Sequence, residues 1–454
     1  MNRLFLIPLL LVAPLAAQDA IEVPYTQFRL PNGLNVILHQ DRSTPMVSVN
    51  LWYHVGSGRE TPGRTGFAHL FEHILFEGSE NVPEGAFDQW LEAAGGQNNG
   101  STNSDRTNYW ENIPRSALEL ALFLESDRMG FLLGAMSEEK VDGQRDVVKN
   151  ERRQSYENQP YGMAFLTIDS AMYPADHPYS WPTIGSMEDL SAASYQDVVD
   201  FFRNWYGPNN ASLSIAGDID TVEARRLVER WFQEIPTGPP VPPLQGRTAT
   251  IGSERRMMIE DRVQLPRVYM CWHTPAHFAP GDVEMDIAGS VLAGGRNSRL
   301  YRRLVYEMEI AQDVFAFQGS QALGSQFCII STARPGRNLG ELEAVIQEEL
   351  DRLRTSPPTE REIARVVNQT EAGFLDRLEQ IGGFGGKADQ LNAYYFQTGN
   401  PDYFNEDLSR YKAITPSDIR AAVGRWLGDN ARVILSIVPQ GRPELAAPAR
   451  TTME

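Results

Sequence analysis

The sequence predicts an α+β protein of two homologous α/β sandwich domains, each an antiparallel-rich sheet packed with helices, joined by a proline-rich linker. Three observations carry this. The chain has 454 residues, 42% of them hydrophobic, enough for two large cores. The stretch 235–247 holds Pro236, Pro239, Pro240, Pro242 and Pro243, which neither a helix nor a central strand accepts. The segments on its two sides also repeat: Asp197-Val198, Trp205 and Asn210-Ala211 before the strand-like 212–216 recur as Asp418-Ile419, Trp426 and Asn430-Ala431 before 433–438. The offsets are 221 and 220 throughout, the mark of a duplicated unit.

Taken in order, residues 1–17 read as a secretory signal peptide: Arg3, an apolar run from Leu4 to Leu15, then small Ala16 and Ala17 before polar Gln18 and Asp19. The run is short for a membrane span and no cysteine follows to accept a lipid, so export without a stable membrane anchor is expected. The expected location is periplasmic, or secreted. Residues 28–39 form two strand-like runs about a Pro31-Asn32-Gly33 turn, and 46–55 is a further strand. The spacing predicts helices over 65–76, 116–129 and, dense in charge, 137–156. Domain bounds follow as 18–234, the linker 235–247, and 248–441, with 442–454 a disordered tail.

Charge excludes some functions. The whole chain carries −18, and removal of the signal takes away Arg3 and no acid. Such a surface disfavours nucleic acid and anionic membranes. Two cysteines, Cys271 and Cys328, make no disulfide framework; in an oxidising compartment they pair, and otherwise they are buried strand thiols.

The chemistry concentrates in His69-Leu70-Phe71-Glu72-His73. On a helix, Glu72 and His73 each fall within about 60° of His69, so two imidazoles and a carboxylate share one face. His-x-x-Glu-His is the inverted zinc-peptidase signature, with histidines as ligands and glutamate as base. A third protein ligand is still required, leaving a fourth position open for water. Shifting the motif by 220 places Gly289, Leu292 and Ala293 opposite His69, Glu72 and His73, so the second half cannot hold metal there.

Here the residues resemble the pitrilysin/insulysin and mitochondrial-processing-peptidase family. Gly66-Phe67-Ala68 before the motif, Leu75-Phe76-Glu77-Gly78-Ser79 after it, and Gly95-Gly96-Gln97-Asn98-Asn99-Gly100-Ser101-Thr102 with Thr107-Asn108-Tyr109 all fit it, and the likeness runs over nearly the whole mature chain. The resemblance implies one Zn2+ per chain held by His69, His73 and Glu151, the last lying 78 residues past His73 within Arg145-Asp146-Val147-Val148-Lys149-Asn150-Glu151. It makes Glu72 the base that activates zinc-bound water against a peptide carbonyl. It makes Asn99, Gly100, Ser101 and Thr102 part of an edge strand that pairs with substrate backbone.

Two positions depart from the family. A second glutamate seven residues before the ligand is replaced by Gln144, which can hydrogen-bond in the second shell but adds no charge. An arginine and a tyrosine that stabilise the substrate carbonyl in full-length members are replaced by Val305 and Gln312. The resemblance therefore implies a two-subunit arrangement in which a homologous zinc-free subunit supplies the missing pair, with a homodimer as the other assembly. The expected function is an exported zinc metalloendopeptidase acting on peptides or unfolded segments. The competing expectation is a zinc-binding but non-catalytic structural or chaperone-like subunit.

Other signals are weaker. His273 and His277 are four apart but interrupted by Pro275, which argues against a second metal site. Gly382-Gly383-Phe384-Gly385-Gly386-Lys387 lacks the serine or threonine and the glycine spacing of a phosphate loop, and reads as a flexible loop. Ser57, Ser101 and Ser104 carry no catalytic-triad signal.

Overall fold

The first sheet grows from short β-branched and aromatic runs separated by glycine turns. In the computed structural model, which describes residues 20–246 and 249–448, it contains β1 (Thr26–Arg29), β2 (Asn35–Gln40), β3 (Met46–Tyr53), β4 (Gln97–Thr102), β5 (Thr107–Pro114) and β6 (Ala211–Gly217). Their order is β1-β2-β6-β3-β5-β4. The turn between β1 and β2 needs Gly33, whose φ is +99°. The second sheet contains β7 (Arg255–Asp261), β8 (Arg267–Thr274), β9 (Ala311–Gly319), β10 (Ser325–Ala333) and β11 (Arg432–Pro439), in the order β7-β11-β8-β10-β9.

Without β1 the two orders are the same. In each sheet the first and last strands in sequence pair in parallel, β2 with β6 and β7 with β11, and every other pairing is antiparallel. The duplication read from the repeat is thus a duplication of topology. Both central strands, β6 and β11, are buried almost throughout, because each sheet is covered on both faces.

Four helices matter for the site: α1 (Phe67–Ile74), α2 (Ala86–Ala93), α3 (Leu118–Ala135) and α4 (Glu138–Arg152). The expected helix over 137–156 ends at Arg152 and continues as a π turn, Arg153–Glu157. One apolar core joins Val49, Leu51 and Leu213 of the first sheet to Phe71, Leu122 and Phe202 of its helices. A second joins Met270, Ile329 and Ile434 to Ile287, Ile346 and Val423.

The outer face of each sheet is closed by a helix from the other half. Ala164–Met172 packs on β8 and β11, burying Ile168 and Met172 with Tyr269 and Leu435. Lys387–Thr398 packs on β2, β3 and β6, burying Leu391 and Tyr394 with Ile37. The two helices occupy equivalent places in the repeat.

The segment 235–246 has no regular structure and lies along the first half: Asn209 Nδ2 donates to the Pro239 carbonyl at 2.8 Å and Arg59 Nη1 to that of Pro242 at 2.7 Å. Residues 442–448, expected to begin a disordered tail, are instead fixed. Pro443–Leu445 forms a helical turn, Ala447 N donates to Ser436 Oγ at 3.1 Å, and the Pro448 carbonyl accepts from Arg256 at 2.7 Å. The expected signal 1–17 and positions 449–454 lie outside the described residues. Among the described residues no helix is long and apolar enough to cross a membrane. Cys271 and Cys328 stand directly opposite on β8 and β10 and form a disulfide.

Candidate metal centre and active site

The motif helix is short and its start is held from outside. Gly66 enters α1 with φ +93° and offers no side-chain cap. Buried Glu60 takes that role: its carboxylate accepts from Gly66 N at 2.9 Å and Ala68 N at 2.8 Å, satisfying N–H groups that a helix leaves unpaired. Leu70, Phe71 and Ile74 turn into the core, where Phe71 packs on Phe201, Phe202 and Tyr206. His69, Glu72 and His73 are left on the opposite side.

Helix α4 packs against α1 and brings Glu151 to the histidines from its last turn. Glu151 Oε2 lies 3.3 Å from His73 Nε2 and 3.7 Å from His69 Nε2, and one ligand atom from each of the three lies within 4.8 Å of the others. Bonds of about 2.1 Å at tetrahedral angles put ligand atoms roughly 3.4 Å apart, so the carboxylate–imidazole spacings fit one zinc ion. Protonation fits too. Burial, reinforced by the His73 charge, pushes His69 down to about 4, while the His73 hydrogen bond holds Glu151 below the usual carboxylate range. Neutral imidazole and ionised carboxylate are the forms that bind metal. Two nitrogens, one oxygen and an open side make the donor set of a catalytic rather than a structural site.

Glu72 lies between this cluster and the sheet. Burial pushes its pKa upward, against the Thr102 hydrogen bond and the charges of His73 and Arg106. That direction suits a group that must take up and release a proton near neutrality. Its methylene rests against β4: a Cβ on Gly100 would come within 3.3 Å of Glu72 Cγ. Strand β4 is the outermost of its sheet, so its outer edge can take up an extended chain, with the Asn99 Oδ1 that accepts from Gly100 N at 2.8 Å standing in for a strand partner there. Asn99, Gly100, Ser101 and Thr102 all lie on it.

Other expected residues are not drawn in. Gln144 stands two turns before Glu151 on α4, half-buried, and makes no hydrogen bond to the cluster among the described residues. Val305 is buried in the second core and Gln312 is exposed on β9. His273 bonds the Met172 carbonyl at 2.9 Å and His277 stacks on Phe278 at 4.0 Å, so both are structural. The glycine loop, expected to be flexible, is pinned: Gly385 N donates to Asp389 at 2.8 Å, and Gly382 lies so close to Ser48 and Asn112 that a Cβ would overlap both.

Three supporting residues escaped sequence reasoning. Arg106, half-buried over the Trp52 ring, donates to Ser101 O at 2.8 Å and Ser101 Oγ at 2.7 Å, bracing the edge strand. Tyr109 OH donates to the carbonyls of Phe71 and Glu72 at 3.3 and 3.4 Å, and Glu60 holds the start of α1. Glu60 lies six residues before Gly66 in a loop, with no periodicity to mark it; Arg106 sits in the β4–β5 turn, where a charge normally reads as solvated.

Comparison with known proteins agrees with this geometry. The family model described as Insulinase (Peptidase family M16) matches residues 35–182, and that described as Peptidase M16 inactive domain matches 192–370. The chain is 29% identical over 359 residues to Zinc protease PqqE of Helicobacter pylori, covering 77% of this chain and 79% of that protein. The crystal structure of a protease from Helicobacter pylori superposes with a TM-score of 0.86 at 25% identity, covering 92% of this chain and all of that one. A peptidase M16 inactive domain from Pseudomonas fluorescens shares the fold, with a TM-score of 0.80 at 17% identity over 92% of this chain and 98% of that one. With one family model on each half, the chain belongs to the pitrilysin-type insulinase family, peptidase family M16.

Proposed function

We propose that this chain is the zinc-bearing subunit of an exported metallopeptidase that cleaves peptides or unfolded segments, working beside a homologous subunit that carries no zinc site. The carrying observation is the placing of Glu72 between a His69–His73–Glu151 ligand set and the free edge of β4. In this reading 18–234 carries the chemistry, 235–247 connects, and 248–441 forms a wall of the site.

When bound, a zinc ion at His69, His73 and Glu151 supplies Lewis acidity, making water easy to deprotonate near pH 7 and polarising a carbonyl. The rest falls to the protein. An extended peptide pairs with β4, and Arg106 keeps that strand straight through Ser101. Glu72, oriented by Thr102, takes the proton of the attacking water and returns it to the departing amine. The core beneath α1 holds Glu72 in place, so little reorganisation is needed.

A second reading rests on Val305 and Gln312. With Val305 and Gln312 at those positions the chain does not offer the arginine and tyrosine donors that the resemblance places there, which favours a zinc-binding subunit without turnover of its own. One experiment separates the two. Purified chain and its Glu72→Gln variant are assayed for zinc content and peptide hydrolysis, with and without a homologous subunit. One zinc in both proteins, with hydrolysis only for wild type plus partner and a fall of 10²- to 10⁴-fold in the variant, supports the proposal. Zinc without hydrolysis in every combination supports the second reading, and strong hydrolysis by the chain alone removes the partner requirement.

A further inference from the structure

Beneath the motif helix, inside the first core, lie charges that the chemistry above does not use. Tyr109 and Glu111 are two apart on β5, so both point to one face of the sheet, and Glu125 and Arg128, three apart on α3, meet them there. All four are buried, with 1% or less of each exposed. Arg128 Nε donates to Glu125 Oε2 at 2.8 Å, and Nη2 donates to Glu125 Oε1 and, at 3.2 Å, to Glu111 Oε1. Burial, with the Glu125 charge beside it, pushes the Glu111 pKa well up, so Glu111 holds a proton and a single carboxylate faces the guanidinium. Such a cluster is a poor way to stabilise a core, because ions lose their water on burial and apolar groups of similar volume serve as well or better.

What the cluster does follows from what Arg128 touches. Its guanidinium stands 4.0 Å from the centre of the Tyr109 ring and 4.5 Å from that of Phe87, which holds the tyrosine ring in one plane. From that plane the hydroxyl reaches the carbonyls of Phe71 and Glu72 at 3.3 and 3.4 Å. The Glu72 carbonyl lies in the last turn of α1 and receives no backbone N–H among the described residues, so Tyr109 supplies its hydrogen bond. The same ring bears on the edge strand. Gly100 of β4 is the cross-strand partner of Tyr109, and a Cβ there would meet Tyr109 Cδ1 at 3.1 Å and Glu72 Cγ at 3.3 Å. Ring, helix and strand meet at one point, and the ring sets the gap between the other two.

We propose that Tyr109 and Arg128 are positioning residues for Glu72: Arg128 locks the Tyr109 ring, and the ring holds the end of α1 at a fixed distance from the strand on which the peptide is seated. This role rests on the peptidase reading and adds to it two buried residues, remote from the metal ligands, that set the rate of the chemical step. A general base must stand within hydrogen-bond reach of the proton it takes, and a misplacement of about 1 Å can cost on the order of 10²-fold in rate. Neither residue touches the substrate, so the loss falls on kcat and leaves KM alone.

The test compares wild type with Tyr109→Phe, which keeps the ring and loses only the hydroxyl, and with a triple variant, Glu111→Leu, Glu125→Leu and Arg128→Met, which replaces the charges by apolar groups. Peptide hydrolysis is measured on the zinc-loaded chain with its homologous subunit. Tyr109→Phe is expected to lower kcat about tenfold and the triple variant about threefold, at unchanged KM and zinc content and with a thermal midpoint within about 5 °C of wild type. Amide hydrogen exchange of the full chain, read by mass spectrometry, should quicken over 70–77 in both variants and stay as in wild type elsewhere in the first half. Should the triple variant fail to fold, Tyr109→Phe alone decides. A kcat for Tyr109→Phe within twofold of wild type, or a fall matched by lost zinc, overturns the proposal. A fall in kcat with exchange over 70–77 unchanged overturns it too, since the hydroxyl would then act elsewhere than on the helix. Quickened exchange in the variants with no hydrolysis by wild type would sink the peptidase reading and keep the hold of Tyr109 on Glu72.

Discussion

Asp389 ties the two halves together through one carboxylate, and removing it should cost several kcal/mol. Oδ1 accepts from Asn50 Nδ2 at 3.2 Å, Trp52 Nε1 at 2.9 Å and Asn108 Nδ2 at 2.9 Å, and Oδ2 from Gly385 N at 2.8 Å. Asn50, Trp52 and Asn108 are all buried, so none can turn to water when the acceptor goes. A buried donor left unpaired costs about 1–3 kcal/mol. In Asp389→Ala three side-chain donors are stranded, giving about 3–9 kcal/mol. Gly385 lies on a half-buried loop and adds little. In Asp389→Asn one acceptor oxygen survives and the new amide opposes only the Gly385 N–H, so about 1–2 kcal/mol is expected. Urea unfolding of the full chain, followed by tryptophan fluorescence and far-ultraviolet circular dichroism, measures both. An alanine variant within 1 kcal/mol of wild type, or indistinguishable from the asparagine variant, would refute this account of the junction.

His54 sits at the same junction, bonded to Ser212 at 3.2 Å and with its ring tilted against that of Phe396, centroids 4.8 Å apart; burial pushes its pKa down to about 4. A histidine kept neutral when folded contributes stability that is present above its unfolded pKa near 6.5 and is lost as pH falls toward 4, on the order of 3 kcal/mol in all. His54→Gln should flatten that part of the pH–stability profile, and an unchanged profile would show that other groups set it. The Cys271–Cys328 disulfide closes a loop of 57 residues, for which the chain-entropy relation gives about 4 kcal/mol. Replacing both cysteines with serine should lower the denaturation midpoint by a comparable free energy, and a reductant should do the same to wild type only.

The metal site was readable because local helix geometry and a fixed spacing carry it. Three of its four residues lie within five positions, whereas Glu151 sits in a charge-dense helix that by itself reads as solvated and is reached only through the spacing that the family resemblance implies. The duplication was readable because the repeated signals, a helix ending in Trp205 or Trp426 and a buried central strand, are local as well. The junction was not. Asp389 follows a glycine run that reads as a loop, and nothing in its neighbours announces three buried donors on strands more than 280 residues away. Glu60 and Arg106 escaped for the same reason, since a charge in a turn is ordinarily solvated and only tertiary packing buries the first and half-buries the second. The start of the expected disordered tail, 442–448, is fixed instead by contacts that only the tertiary structure supplies, Ala447 N to Ser436 and Arg256 to the Pro448 carbonyl.

The traded helices explain why a second half that lost the histidines is still there. After a duplication, one copy of a self-sufficient unit can be discarded once its chemistry lapses. Here each copy lends Ala164–Met172 or Lys387–Thr398 to the other's sheet, so neither is self-sufficient. Deleting the second half would strip Ile37 and strand β6 of their cover and open the first half to aggregation. The second half is thus an obligatory structural lender: Lys387–Thr398 is needed by the first sheet whatever chemistry its own sheet supports.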